Sequence, residues 1–576
     1  MRLIIQVPGY GAFLYLLIVT FSCTTDHQEI TAEAVFPNPS LNFQPNIIWL
    51  VAEDQSPNLP SFGDSTVITP TLSRLAAEGV CYDNFYTAHP VCAPARASII
   101  TGMYANHIGA SHMRTGPWYS DEVSPEVVAQ AAQFLPEDIV PYEAVPRPNV
   151  KMFTEYLRAA GYYCTNNAKQ DYQFKKTMTA WDENSHQAHW RNRAPGQPFF
   201  AVFNFEVTHE SRIWAKADDS LWVANDLDIP VPPYLPDTEV GRRDIRRMYS
   251  NVKEMDAQVG EVLSQLEADG LLDSTIVFWY SDHGGPLPRQ KRLLYDSGIK
   301  VPMIIRFPGK ASAGQRDDRM ISFIDLGPTV LSLADIAPKE YMDGKAFLGV
   351  YAREEEPQYV FGAADRFDAK YDRIRSVRDK RYKYLRYYMT DKPMYLDVAY
   401  RRQQPIMQEL LRLRDAGELT PEQALWFRDQ KPAEELFDLQ NDPHELNNLA
   451  EDPAYAEKLV ELRQACADWV ARIEDTGMQP EAELIESIWP GMVQPATAAP
   501  TIELNGRQVT IRCTTEGASI GYKIVVPEED PETMAWTIYQ APFEVPEGKQ
   551  LIAIAHRIGY ARSGEVIVEN DSSSLQ

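Results

Sequence analysis

Two uninterrupted apolar runs, more than two hundred residues apart, each end on a pair of polar side chains, and they limit the fold more than any other feature. The first, N-I-I-W-L-V-A-E-D, is apolar over 47–52 and closes on Glu53 and Asp54. The second, T-I-V-F-W-Y-S-D-H-G-G, is apolar over 275–280 and closes on Asp282 and His283. A strand with one wet face alternates apolar and polar residues. A strand that is apolar at every position has both faces covered, as in a parallel sheet packed between helices. In open α/β sheets, ligands gather at the carboxyl ends of such strands. Acid-containing pairs at two strand ends therefore predict a metal site assembled from distant parts of the chain.

The rest of the first half fits that reading. The stretch T-P-T-L-S-R-L-A-A-E-G-V at 69–80 predicts a capped amphipathic helix stopped by Gly79. A similar helix is expected over 150–161, followed by a strand at 162–166. Further strand, helix and helix follow at 199–207, 244–270 and 323–334. Alternation of this kind implies an α/β fold whose mixed, largely parallel sheet is sandwiched by helices.

Between the two runs lies V-C-A-P-A-R-A-S-I-I-T-G-M at 91–103, a C-x-P-x-R pattern running into T-G. With the flanking strand-end acids it resembles the signature of the type I sulfatases, in the alkaline phosphatase superfamily. The resemblance implies that Cys92 does not serve as a thiol. A formylglycine-generating maturation enzyme would oxidise it to an aldehyde, whose hydrate attacks sulfur and afterwards expels sulfate by reverting to the aldehyde. It implies that Glu53, Asp54, Asp282 and His283, with residue 92, hold one divalent cation. Carboxylate-rich sites suit hard ions, so Ca²⁺ is expected ahead of Mg²⁺. Glu53 stands where the family usually has Asp. His283 stands where it often has Asn, and its nitrogen tilts the site towards softer metals.

The same resemblance assigns Arg96 to the aldehyde hydroxyl and the metal ligands, and Lys169, His209 and Lys291 to the sulfate pocket. His209 or a lysine would protonate the leaving alcohol. Asp171 occupies the place of a family histidine, and is expected to take over as base for sulfate expulsion. His107, His112 and Arg114 follow the signature, and read either as the sugar-binding rim or as solvated loop residues. The motifs E-D-Q-S-P and N-x-x-K-x-D are similar to those of bacterial polysaccharide sulfatases and of heparan N-sulfatases. The expected substrate is a sulfated polysaccharide or its oligosaccharides, with an ulvan or carrageenan-type algal glycan favoured. The alternatives are a heparan-type glycosaminoglycan sulfatase or sulfamidase, a phosphatase or phosphodiesterase of the same superfamily, and an inactive sugar-binding paralogue.

A net charge of −26 argues against nucleic acid as partner. It also means that an anionic substrate must be met by a local cluster of cations inside a pocket. The first 23 residues read as an export signal with one basic residue and an apolar stretch. Ser22-Cys23 resembles a bacterial lipoprotein site, so a lipid anchor at Cys23 and a periplasmic or outer-membrane location are expected. Residues 24–44 read as a tether. The sulfatase domain is expected over 45–349 and a smaller α+β subdomain over 350–475. A linker rich in Pro, Ala and Glu follows at 476–499. A β-sandwich module of the carbohydrate-active-enzyme type is expected over 500–570, with Trp536 and Tyr539 as packing residues rather than sugar platforms. The cysteines show no paired spacing, so buried free thiols are expected ahead of a Cys81–Cys164 disulfide.

Overall fold

A computed structural model describes residues 38, 39, 41, 43–118, 123–526, 529–546 and 548–569. The expected signal segment, the Cys23 anchor and most of the tether lie outside the described residues.

The first apolar run is strand β1 (Asn46–Ala52), buried at all seven positions. Its side chains divide by parity between two cores. Ile47, Trp49 and Val51 face helices Cys92–Thr101, Phe153–Ala159 and Leu326–Leu333. Ile48, Leu50 and Ala52 face the other way, into the core built with the long helix Glu239–Ala268. Period-two alternation thus feeds two hydrophobic layers at once, which is why the run needs no polar residue.

The remaining strands of this sheet are β2 (Val80–Tyr86), β3 (Tyr163–Asn167), β4 (Glu183–Asn184), β5 (Phe199–Phe205), β6 (Thr275–Ser281), β7 (Lys300–Arg306) and β8 (Gln315–Ser322). Their order is β4-β3-β5-β1-β6-β7-β2-β8. Only β7 runs against its neighbours β6 and β2; every other pairing is parallel. The expected mixed, largely parallel sheet between helices is the observed one.

Register places the functional ends together. Ala52 of β1 pairs with Ser281 of β6 and with Phe205 of β5, and Asn167 of β3 pairs with Phe203 of β5. The residues that follow each strand therefore emerge at one edge: Glu53-Asp54, Asp282-His283, His209 and Lys169.

Beyond the sheet, four antiparallel strands (Val360–Ala364, Ile374–Arg378, Tyr382–Tyr387, Glu434–Asp438) pair consecutively. The helix Ala456–Arg472 buries Leu459, Leu462, Cys466 and Trp469. Leu459, Leu462 and Cys466 join Val377, Tyr384 and Leu436 of this sheet in one core cluster. The second and third of these strands are separated by a turn at Asp379, whose Oδ1 accepts from the backbone N–H of Arg381 (2.7 Å) and Tyr382 (2.6 Å).

Within the stretch expected as a linker, Glu481–Ile488 form a helix that buries one face. Leu484 and Ile485 are buried, and Ile485 shares a cluster with Leu135, Ile139 and Tyr142. Glu481 meets the Arg366 guanidinium through both its oxygens, each at 2.6 Å. The Pro, Ala and Glu content of the stretch points to a linker, but E-A-E-L-I-E-S-I also carries apolar residues at helical spacing, and packing against the core decides between the two. The last strands form two antiparallel sheets around Val509, Ile511, Val545, Leu551 and Ala553. Trp536 packs against Val525, Ile552 and Ile554. Cys81, Cys92, Cys164, Cys466 and Cys513 are free thiols.

Candidate active site

Cys92 opens the helix Cys92–Thr101, a segment buried at all ten positions. Pro94 is tolerated there because the first-turn N–H groups lack helical acceptors in any case. The Cys92 Sγ lies 3.2 Å from His283 Nε2. His283 Nδ1 donates to the carbonyl of Gly284 at 3.0 Å, which turns Nε2 towards the cluster. Gly284 is required by close approach: a Cβ there would sit 2.2 Å from the Ser297 carbonyl oxygen.

Asp54 leaves β1 in the left-handed region, with φ of 49°. That conformation costs a non-glycine residue free energy and is found where surrounding structure imposes it. Here the Asp54 N–H donates to Asp282 Oδ1 at 3.1 Å, and its Oδ2 accepts from the Glu210 N–H at 2.7 Å. His283 Nε2 stands 3.0 Å from Asp54 Oδ1. The Arg96 Nε donates to Asp282 Oδ2 at 3.2 Å, and Nη1 to Asn204 Oδ1 at 2.8 Å. Its Nη2 is 3.5 Å from Glu53 Oε1.

Two lysines complete the cluster. Lys169 Nζ lies 2.8 Å from Glu53 Oε1. Lys291 Nζ donates to Asp54 Oδ1 and Oδ2 at 3.0 and 2.8 Å, and stands 3.2 Å from His209 Nε2. His209 Nδ1 meets Ser211 Oγ at 2.8 Å. Asp171 follows in the left-handed region with φ of 60°, near enough for its charge to act on Lys169.

The charges are buried together, so they decide one another's protonation. Burial pushes the Cys92 thiol up, but Lys169, Lys291 and His283 outweigh it and hold its pKa well below the usual thiol range. Burial likewise opposes the Asp54 charge, yet Lys291 and the two histidines keep its pKa far below normal. Asp282 is lowered by His283 and Arg96 against the same burial cost. Glu53 differs: burial outweighs Lys169, and its pKa is raised. Against burial, Asp282 and Asp54 lift His283 to about 10. Lys169 and Lys291 are both driven upward by the anions around them, despite burial.

The donor set fits a divalent cation. Ligand atoms of Cys92, Asp282 and His283 lie within 4.8 Å of one another, with Asp54 and Glu53 alongside. Buried carboxylates gathered this closely repel unless positive charge sits among them. A divalent ion also competes with the proton that those carboxylates now favour on His283.

The structure gathers Glu53, Asp54, Cys92, Arg96, Lys169, Asp171, His209, Asp282, His283 and Lys291 into one locus. The three rim residues separate. Arg114 Nε pairs with Asp368 at 3.0 Å, and its guanidinium lies 5.4 Å from the Tyr400 ring centre. That ring meets His209 edge-on, 6.2 Å away, so Arg114 belongs to the outer wall of the site. His107 instead pairs with Asp343 at 3.0 Å. His112 is buried, accepting the Arg366 N–H on Nδ1 at 3.3 Å.

Sequence reasoning missed Glu210, Arg292 and Asn204. Glu210 takes Arg292 through two bonds of 2.9 and 2.5 Å, and lies 3.2 Å from Lys291. Each neighbours an assigned residue or a strand end, but nothing local separates a buried carboxylate after His209 from a solvated one.

An α/β sheet that gathers a buried cysteine, convergent carboxylates and several cations at one carboxyl edge is an arrangement suited to hydrolysis of charged esters. The sulfatase family profile matches residues 45–336, and the C-terminal profile of N-sulphoglucosamine sulphohydrolase matches 289–409. An "ulvan-active sulfatase" of Formosa agariphila is 49% identical over 95% of both chains. Human N-sulphoglucosamine sulphohydrolase is 27% identical over 77% of this chain and 94% of its own. Among solved structures, a 2-O glycosaminoglycan sulfatase superposes with a TM-score of 0.54 at 20% identity, over 75% of this chain and 93% of the other. The chain belongs to the sulfatase family, and is a sulfuric ester hydrolase.

Proposed function

We propose that this enzyme removes sulfate from a sulfated polysaccharide of the ulvan type, using Cys92 after its conversion to formylglycine and a Ca²⁺ ion. The observation that carries the reading is the convergence of Cys92 with Asp54, Asp282 and His283 on one side and Lys169 and Lys291 on the other. The relative at 49% identity, described as ulvan-active, supports the choice of glycan.

Glu53, Asp54, Asp282 and His283 would hold the cation beside residue 92. When present, the cation contributes Lewis acidity, and formylglycine contributes two hydroxyls on one carbon. Everything else is done by ordinary side chains. Arg96 spans Asp282 and Glu53 and offsets their charge while fixing their orientation. Lys169 and Lys291 present ammonium groups to the sulfate oxygens, which lets a chain of net charge −26 bind an anion. As the S–O bond to the sugar breaks, the departing oxygen needs a proton. His209, half-buried with its Nε2 3.2 Å from Lys291 Nζ, or one of the lysines donates it. Asp171 serves as the base for sulfate release. His107 and His112, given their partners, act as supports of the wall rather than as sugar contacts.

The match to the N-sulphoglucosamine sulphohydrolase C-terminal profile favours a second reading, cleavage of a sulfamate on glucosamine. One panel separates the two. The enzyme, co-produced with a formylglycine-generating enzyme, is offered ulvan oligosaccharides and N-sulfated glucosamine, and free sulfate is measured. Release from ulvan alone supports the first reading; release from the N-sulfated sugar alone replaces it. Peptide mass at residue 92 should show the aldehyde, lighter than the thiol. Full activity with an unmodified Cys92 would refute the mechanism. We further propose that the chain is exported from a bacterial cell and tethered through Cys23. No helix among the described residues is long and apolar enough to cross a membrane.

A further inference from the structure

A large groove lies away from Cys92, where the C-terminal β-sandwich meets the catalytic sheet. Its volume is about 950 Å³, at the upper end for a pocket that takes a small ligand. One wall comes from the loop after β3, carrying Lys175, Lys176 and Met178, and the other from the last sheet, carrying His556, Tyr560 and Arg562.

Charge is distributed unevenly along it. Arg562 reaches across to Met178, its Nη1 3.8 Å from the sulfur, which brings it beside the loop that carries Lys175; both charges act on the ring of His556, whose pKa burial depresses to about 4. The acids Glu532 and Glu565 act instead on Lys523. The two remaining acids among the described lining residues are already committed. Glu143 accepts from the Lys175 N–H at 2.7 Å and from Gln494, and Asp182 pairs with Arg158 at 2.7 Å. A recess that brings Lys175 and Arg562 together stands out on a chain with so strong an acidic excess. His556 is 4% exposed, and its Nδ1 has no hydrogen-bond partner among the described residues. Tyr560, half-buried, lines the groove with Arg557 stacked on its ring at 4.5 Å, so a sugar would meet the ring's remaining face or edge.

The groove is wired to the active site. Asn184, on its floor, accepts from Asn166 Nδ2 at 2.7 Å, and the same nitrogen donates to the Lys169 carbonyl at 3.0 Å. The loop that places Lys169 in the sulfate pocket therefore also places Lys175 and Lys176 in the groove.

We infer that this groove is a second glycan-binding site, holding an uncleaved anionic stretch of the same polysaccharide chain whose sulfate ester is presented at Cys92. The chemical class is a sulfated or uronate-bearing oligosaccharide, a choice that rests on the substrate proposed above. The module thus contributes half of a substrate-binding surface rather than acting as a spacer.

Binding is measured by calorimetry on the full chain carrying Cys92→Ala, which cannot turn over, with ulvan oligosaccharides of about ten sugars and with dextran sulfate as a generic polyanion. The pair Lys175→Glu and Arg562→Glu should weaken binding about tenfold and flatten its salt dependence. Arg562→Ala alone, at an exposed position, should weaken it about threefold. In the enzyme with residue 92 intact, the double variant should raise KM for long oligosaccharides while leaving turnover of a small aryl sulfate unchanged. Unaltered affinity in both variants, equal losses on long and short substrates, or no binding of either probe at low salt would overturn the inference. If the probes bind and aryl sulfate is cleaved but ulvan is not, the substrate reading fails while the groove stands.

Discussion

The Nε2 of His283 points at the Sγ of Cys92 from 3.2 Å, with its other nitrogen committed to the Gly284 carbonyl. This turns the free nitrogen of the ring towards Cys92, Asp54 and Asp282, and in the proposed metal site it would add a nitrogen to carboxylate oxygens. Chelator treatment should abolish turnover and lower the Tm, because it leaves Glu53, Asp54 and Asp282 facing one another; added Ca²⁺ should restore both. His283→Asn, which exchanges that nitrogen for an amide, should shift preference towards Ca²⁺ over Mn²⁺ by about fivefold in metal titrations followed by activity.

Lys291 sits against Asp54, Glu210 and His209 at once. Lys291→Ala removes a cation from the sulfate pocket and leaves Asp54 buried with less compensation. The expected loss in kcat/KM is about 10³-fold, in the range of one missing charge-stabilising or proton-donating group. Lys291→Arg should recover little, since a planar guanidinium cannot reach Asp54 and His209 together from the same backbone.

Asp171 is the residue through which sulfate leaves in the proposed mechanism. Asp171→Asn should give a rapid burst of the alcohol product followed by slow steady-state release of sulfate. Stopped-flow kinetics on an aryl sulfate checks this. Unchanged steady-state turnover removes Asp171 from the mechanism.

Glu481 ties the 481–488 helix to the catalytic core. Burial works against its charge, but His112 and Arg366 bring its pKa down to about 2. A carboxylate lowered in the folded state adds stability that is present above its unfolded pKa and lost as pH falls towards the folded value. Glu481→Gln should therefore lower stability at pH 7 by about 3 kcal/mol, since it strands a buried Arg366. The difference from wild type should shrink between about pH 4.5 and pH 2. Melting temperatures across that range test the sign.

The Gly284→Ala variant tests the close packing that orients His283. Its Cβ meets backbone at Ser297 and Gly298, which cannot swing aside like a side chain. Loss of metal retention with an intact far-UV CD spectrum is the expected result.

Strands β1 and β6 were legible because residues buried on both faces must be apolar at every position, and a run of that length and kind fits little else than the centre of a covered sheet. The strand-end pairs were legible because acids directly after such runs have little structural reason to be there. Arg96, Lys169, His209 and Lys291 were found only through resemblance. A lysine in a loop carries no mark of whether it will be solvated or, like Lys291, packed against Asp54 237 positions away. For the same reason Arg114 joined the wall through Tyr400 whereas His107 and His112 did not, although all three follow one motif.

By itself, then, the order of residues determined a helix-covered, largely parallel sheet and the polar pairs at its strand ends. The register of β1 between β5 and β6 made those pairs a single site, and folding alone could supply it. Folding also paired Glu210 with Arg292, drew the 481–488 helix onto Arg366, and opened a groove against the last module. The division has one physical cause. Burial leaves its trace in local periodicity, whereas Coulomb and hydrogen-bond partners are chosen by distance in space, which the chain's order does not record.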